Sequence, residues 1–193
     1  LNSEIYIDKT ELIAYTNKKL NTEQGYICVS RPRRFGKSMA ANMLTAYYSR
    51  GCDSGGLFQG LKIATHPDFE KYLNQYNVIH LNMRDYLTES ENMKELIQFV
   101  EDDLLDELQQ EFSDLRMPRR KTLVKVLEQA FAQYKIPFVF IIDEWDCIFR
   151  VHKSDAASQK DYLDFLRNLL KDKSYIALAY MTGILPIKKY GEH

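Results

Sequence analysis

The sequence predicts an α/β domain of three layers, with helices on both faces of a mainly parallel sheet. Two junctions carry that prediction. In the first, the short apolar run Tyr26-Ile27-Cys28-Val29-Ser30 breaks into a basic loop ending in Gly36-Lys37-Ser38, and helical residues follow from Met39 to about Tyr48. In the second, the apolar run Phe138-Val139-Phe140-Ile141-Ile142 stops abruptly at Asp143-Glu144. Around these junctions, stretches with apolar residues at helical spacing alternate with short strand-like runs. Strands joined by crossover helices give that pattern.

Composition narrows the choice further. The chain has 193 residues, enough for one sizeable domain with a substantial core, and no repeat, low-complexity tract or linker divides residues 1–193. The formal net charge is −1, so bulk attraction to nucleic acid is not indicated. Three scattered cysteines, two of them in apolar or motif-adjacent runs, read as small buried residues in a reducing compartment. No stretch approaches the roughly 20 apolar residues that span a bilayer. The first residues do not resemble a signal peptide. A chain that opens at Leu1 and stops at His193, just after an apparent strand, reads as a fragment of a longer cytoplasmic protein.

Taken in order, residues 1–20 predict a leading helix packed against the sheet edge. Asp8 is its expected N-cap, Glu11 three residues on suits a capping box, and Leu12, Ile13 and Leu20 supply an apolar face. Tyr6 and its neighbours have a second use open to them, covering the base of a nucleotide. The strand at 26–30 is expected to be buried. After the helix that follows it, Gly51, Gly55 and Gly56 mark a loop, with Leu57, Phe58, Leu61 and Ile63 as a small apolar anchor. A short helix starts near Thr65-His66-Pro67-Asp68, and Val78–Met83 reads as a strand ending in Arg84-Asp85.

Asn92 to about Leu115 predicts a long helix, with Leu96, Phe99, Val100, Leu104, Leu105, Leu108 and Phe112 at helical spacing. Its acidic residues Glu101, Asp102, Asp103 and Asp106 are expected in solvent, and Met117-Pro118 ends it. Another helix fits Lys121–Tyr134. Residues 138–142 suit a central strand buried on both faces. A helix from Asp155 to about Lys171 and a last strand, Tyr175–Met181, ending at Thr182-Gly183, complete the chain.

The chemistry gathers at two strand ends. Strand, tight basic loop with Gly-Lys-Ser, then helix is the layout of a phosphate-binding loop. Backbone N–H groups and the helix N-terminus hold phosphates, Lys37 reaches the β- and γ-phosphates, and the Ser38 hydroxyl ligates Mg²⁺. Arg33, Arg34, Phe35, Gly36, Lys37, Ser38 and Met39 are therefore the expected nucleotide contacts. The pattern G-x-x-x-x-G-K-[ST] wants its first glycine where this chain has Arg31, and Pro32 removes one N–H donor.

The second end supplies carboxylates where α/β sheets place ligand chemistry. Asp143 would orient Mg²⁺ through its water shell, and Glu144 would polarise the attacking water. Thr182, at the tip of the last strand, is the candidate for sensing the γ-phosphate, although strand propensity alone also puts threonine there. Arg33 and Arg34 suit either of two uses. One of them, with Arg34 the catalytic candidate, supplies charge to the γ-phosphate in cis, or they form ion pairs with Asp146 or Asp85.

Three segments together resemble one family. Tyr6-Ile7-Asp8-Lys9-Thr10, Ser30-Arg31-Pro32-Arg33-Arg34-Phe35-Gly36-Lys37-Ser38 and Ile142-Asp143-Glu144-Trp145-Asp146 look like the AAA-ATPase-like domain of bacterial proteins. Leu57-Phe58, Gly60-Leu61 and Thr182-Gly183 agree with it. The resemblance implies a P-loop NTPase fold of the class with an additional strand and a catalytic glutamate, hence sheet order 1-4-3-2. It implies ATP as the nucleotide and makes the missing first glycine usual. It places a fifth strand, a lid and a sensor arginine beyond His193, and often a further C-terminal domain similar to PD-(D/E)xK nucleases.

The leading expectation is thus a Mg²⁺-dependent ATPase, and an oligomer is compatible with it. The alternative is a nucleotide-dependent regulatory switch with little hydrolysis, which needs Lys37 but not Glu144. Nucleic-acid binding by this chain is disfavoured. Arg31, Arg33, Arg34, Arg119 and Arg120 lack the interleaved aromatics of a single-strand platform.

Overall fold

The computed structural model describes residues 7–185, so Tyr6 lies outside the described residues. Strands β1 (Tyr26–Ser30), β2 (Asn77–Asn82), β3 (Phe138–Asp143) and β4 (Ile176–Gly183) form one all-parallel sheet. Its order is β1-β4-β3-β2, the order implied by the resemblance. All six residues of β3 are buried, which accounts for its uninterrupted apolar run.

Side-chain alternation along β3 divides the core in two. Phe138, Phe140 and Ile142 join Leu96, Val100 and Leu104 of α5 (Met93–Glu111), Val126 and Leu127 of α6 (Leu123–Tyr134), and Tyr162, Leu166 and Leu169 of α8 (Ala156–Leu170). Val139 and Ile141 join Ile13 of α1 (Glu11–Asn17) and Leu44, Tyr47 and Tyr48 of α2 (Lys37–Tyr48). Helices therefore cover both faces, and the three-layer expectation holds.

The expectation of a buried first strand is corrected. β1 takes an edge of the described sheet, its residues are only partly covered, and Tyr26 is 45% exposed. The leading helix also sits elsewhere than expected. It packs on α2 and on the 3-10 turn at Lys62–Thr65 rather than on the sheet edge. Polar side chains fix that joint: Thr16 Oγ1 lies 2.7 Å from the Tyr48 hydroxyl, and Tyr48 donates to Asn17 Oδ1 at 2.8 Å.

Asp8 is not the N-cap of α1, a position held by Thr10. Its carboxylate instead accepts from the Thr10 N–H and hydroxyl and from the Lys62 N–H. Desolvation works against its charge, but these hydrogen bonds outweigh that and hold its carboxyl below the ordinary range. In the loop after α2, Phe58 and Ile63 anchor as expected while Leu57 is exposed. The short helix that follows is α3 (Phe69–Tyr72).

Two helices were not legible in advance. β2 gives way at once to α4 (Met83–Glu89), because Asn82 caps it: Oδ1 accepts from the Arg84 N–H at 3.2 Å and Nδ2 donates to Asp85 at 2.7 Å. A one-turn helix, α7 (Cys147–Val151), follows the tip of β3. α5 stops before Leu115, since Phe112 leaves helical geometry to place its ring 4.8 Å from that of Tyr134. None of the helices among the described residues is long and apolar enough to cross a membrane.

Two predictions follow from this packing. Phe140→Ala empties a fully buried site between β3 and the α5–α8 layer, and should lower unfolding free energy by about 3–5 kcal/mol in urea titrations. Burial pushes the Cys28 thiol up to about 11 and that of Cys147 up to about 12, while Cys52 is exposed. Iodoacetamide at neutral pH should therefore label Cys52 first in the folded protein, as read by peptide mass spectrometry.

Candidate active site

Because all four strands are parallel, their C-terminal ends share one rim. Ser30 pairs with Gly183 and Ile142 with Met181, so the loop after β1 and the turn after β3 leave that rim on either side of β4. Two strand spacings separate them, about 10 Å. The three tips are laced together. The Arg31 N–H donates to the Gly183 carbonyl at 3.0 Å, and the Trp145 N–H donates to the Thr182 carbonyl at 3.1 Å. The Thr182 hydroxyl donates to Asp143 Oδ1, and the Ser30 hydroxyl donates to the Leu185 carbonyl at 2.6 Å.

The loop itself explains its missing glycine. Left-handed backbone occurs at Arg34 (φ 68°) and Gly36 (φ 73°), and not at Arg31. Residue 31 extends the ladder from β1, a geometry that any side chain tolerates. The Lys37 amine donates to the carbonyls of Arg31 and Pro32, both at 3.0 Å, and so braces the loop from within. Ser38 lies in the first turn of α2, where the first N–H groups point toward the rim. Phe35 and Met39 are exposed beside it.

Arg33 and Arg34 are exposed and make no hydrogen bond or ion pair with the described residues. The expected pairs with Asp146 and Asp85 are not formed. Asp146 instead accepts from the N–H groups of Ile184 and Leu185, and Asp85 from Asn82.

At the acidic tip, Asp143 is buried, and Oδ1 accepts from the Glu144 N–H at 2.9 Å as well as from Thr182. Glu144 has left-handed backbone (φ 51°). Its Oε2 lies 2.5 Å from Arg150 Nη2 and 3.7 Å from Arg84 Nη1. Thr182 is fully buried, so its hydroxyl acts on Asp143. Beside this tip lies a cavity of about 520 Å³ whose wall includes Arg33, Arg84 and Arg150. Among the described residues no group of three or more His, Cys, Asp or Glu gathers to hold a metal. A hydroxyl and one carboxylate instead suit Mg²⁺, which completes its shell with water and substrate phosphate oxygens.

A family model described as a predicted AAA-ATPase matches residues 2–191. The chain belongs to the AAA-ATPase-like family. No curated protein matches it. Membership implies nucleotide binding, and the parallel sheet with the loop at its rim is the matching scaffold.

In this AAA-ATPase-like domain the structure brings Lys37, Ser38, Asp143, Glu144 and Thr182 to one rim, with Arg33 and Arg34 on the loop beside them. Four further residues join them, of which the sequence assigned a role to Asp146 alone, as an ion-pair partner for the loop arginines. Lys9 donates to the Phe35 carbonyl at 3.2 Å, tying the segment before α1 to the loop. Arg84 and Arg150 lie against Glu144, and Arg150 also faces Asp146. The sequence places Arg84 at the end of a strand, and that position is the signal that it stands at the rim.

Gly183 sits where these groups crowd together. An added Cβ would come within 2.8 Å of Trp145 Nε1 and 2.9 Å of the Asp146 carboxylate. Gly183→Ala should therefore cost about 1–3 kcal/mol of stability, read by chemical denaturation.

Proposed function

We propose that this domain binds ATP with Mg²⁺ and hydrolyses it at the rim where β1 and β3 end. The observation that carries this reading is the lacing of the two tips across β4, which sets the Lys37 loop and the Asp143-Glu144 turn beside one another. In this reading Lys37 leaves the carbonyls of Arg31 and Pro32 for the β- and γ-phosphates, while loop N–H groups and the α2 N-terminus hold the rest. Ser38 and Asp143 would hold Mg²⁺, Asp143 through water. Held there, the ion would neutralise charge developing on the phosphate oxygens. Glu144 polarises the attacking water once its carboxylate is free of Arg150.

Thr182 fixes the Asp143 carboxylate, and sensing of the γ-phosphate runs through that contact. Arg34, exposed and without a described partner, is the candidate for cis charge at the γ-phosphate. Tyr6 remains the candidate for the base. The resemblance alone supports a following nuclease-like module that such hydrolysis would power or regulate.

One observation favours a second reading. Glu144 is held by two guanidinium groups, as suits a nucleotide-binding switch with slow turnover. Single-turnover hydrolysis separates the two, and a rate no faster than the uncatalysed reaction despite tight binding selects the switch.

Two substitutions test the assignment. Glu144→Gln should keep ATP binding and lower kcat by about 10²–10⁴-fold, and undiminished phosphate release would remove Glu144 from the mechanism. Lys37→Ala should weaken ATP binding about ten- to a hundredfold in calorimetric titration, through loss of charge-assisted bonds to phosphate.

A further inference from the structure

Arg150 has two acidic neighbours, and its contacts with them are unequal. One Nη reaches Glu144 at 2.5 Å, whereas its Nε lies 3.5 Å from Asp146 Oδ2 and makes no hydrogen bond among the described residues. Asp146 is fully buried, and its Oδ1 likewise has no hydrogen-bond partner among them. Arg150 Nε is thus a buried donor without a hydrogen bond, 3.5 Å from a carboxylate oxygen, while the unpartnered Oδ1 lies against Gly183, as does the likewise unpartnered Trp145 indole N–H. A buried donor in that condition is costly, and a closer approach of Arg150 Nε to the Asp146 carboxylate is favoured whenever Glu144 is drawn elsewhere.

The Arg150 side chain is only 16% exposed, so leaving its guanidinium without a carboxylate is costly. With Glu144 as sole partner, turning the glutamate to a water at the nucleotide would strand a buried cation. Asp146 removes that obstacle. It is also anchored to the loop side of the rim, since Oδ2 accepts from Ile184 and Leu185 at 2.9 and 2.7 Å and the Leu185 carbonyl takes the Ser30 hydroxyl. Arg84, half-exposed and 3.7 Å from Glu144, is a weaker contact that solvent readily replaces.

We propose that Arg150 is a positioning residue with two alternative partners: it restrains Glu144 in the resting protein and passes to Asp146 when Glu144 turns to the nucleotide. The proposal rests on the ATPase reading for its final step, but the exchange of partners is observable without turnover. The transfer moves no covalent bond and no proton. Arg150 stays charged throughout, and the two carboxylates exchange one cation.

The Nε–H resonance of Arg150 in ¹⁵N spectra of the whole chain reports the exchange directly. In nucleotide-free protein, Glu144→Gln should shift that resonance, and Mg²⁺ with a non-hydrolysable ATP analogue should shift the unsubstituted protein to the same position. Asp146→Asn should suppress both shifts, and Arg150→Met identifies the signal. In steady-state assays Arg150→Met should raise kcat about tenfold, the worth of one charge-assisted bond, with KM for ATP unchanged. Arg150→Lys should restore much of the restraint.

An analogue that binds without moving the Arg150 signal overturns the exchange while leaving the ATPase reading intact. So does an Arg150→Met protein that is folded, binds ATP and shows unchanged or lower kcat. An analogue that fails to bind at all overturns the ATPase reading and the nucleotide-driven exchange together.

Discussion

The hydrogen bond from Thr182 to Asp143 is the contact through which the rim becomes a single structure. It joins neighbouring strand tips of β4 and β3, and the Arg31 N–H on the Gly183 carbonyl joins β4 to β1 one residue further on. The parallel register makes both bonds possible. Were β4 inserted anywhere but between β1 and β3, the basic loop and the acidic turn would share a rim without sharing a neighbour. Two layers of helices clamp the sheet from either side and leave its strand ends little freedom. That is how residues far apart in sequence come to be fixed with respect to one another.

Much of this was legible because the signals were periodic or local. The unbroken apolar run of β3 can only be satisfied by burial on two faces, and the helices that bury it repeat their apolar residues every three or four positions. Asp155 and Asn92, each at a helix start, cap the helices they precede. What escaped the sequence depended on partners distant along the chain. Asp8 looks like a cap by spacing, yet the N–H of Lys62 competes for it. Met83 continues an alternation, yet Asn82 ends the strand by capping a helix.

The site divides along the same line. Gly36-Lys37-Ser38 and Asp143-Glu144 declare themselves through residue type at a strand end. Arg150 does not, because a lone arginine on a one-turn helix carries no pattern, and its meaning comes only from the two carboxylates packed around it. The first-glycine position shows the reverse case. Arg31 looks like a defect by letter, but the left-handed turns of this loop fall at Arg34 and Gly36, where the backbone needs them.

One further consequence belongs to Lys37. Its ammonium is clasped by two carbonyls of the very loop it serves, so the loop keeps its curvature by self-solvation. Any anion that attracts this ammonium removes the internal tether in the same event that supplies an external one. Loop shape and occupancy are then a single cooperative variable, and the chain pays little ordering entropy at the moment of capture.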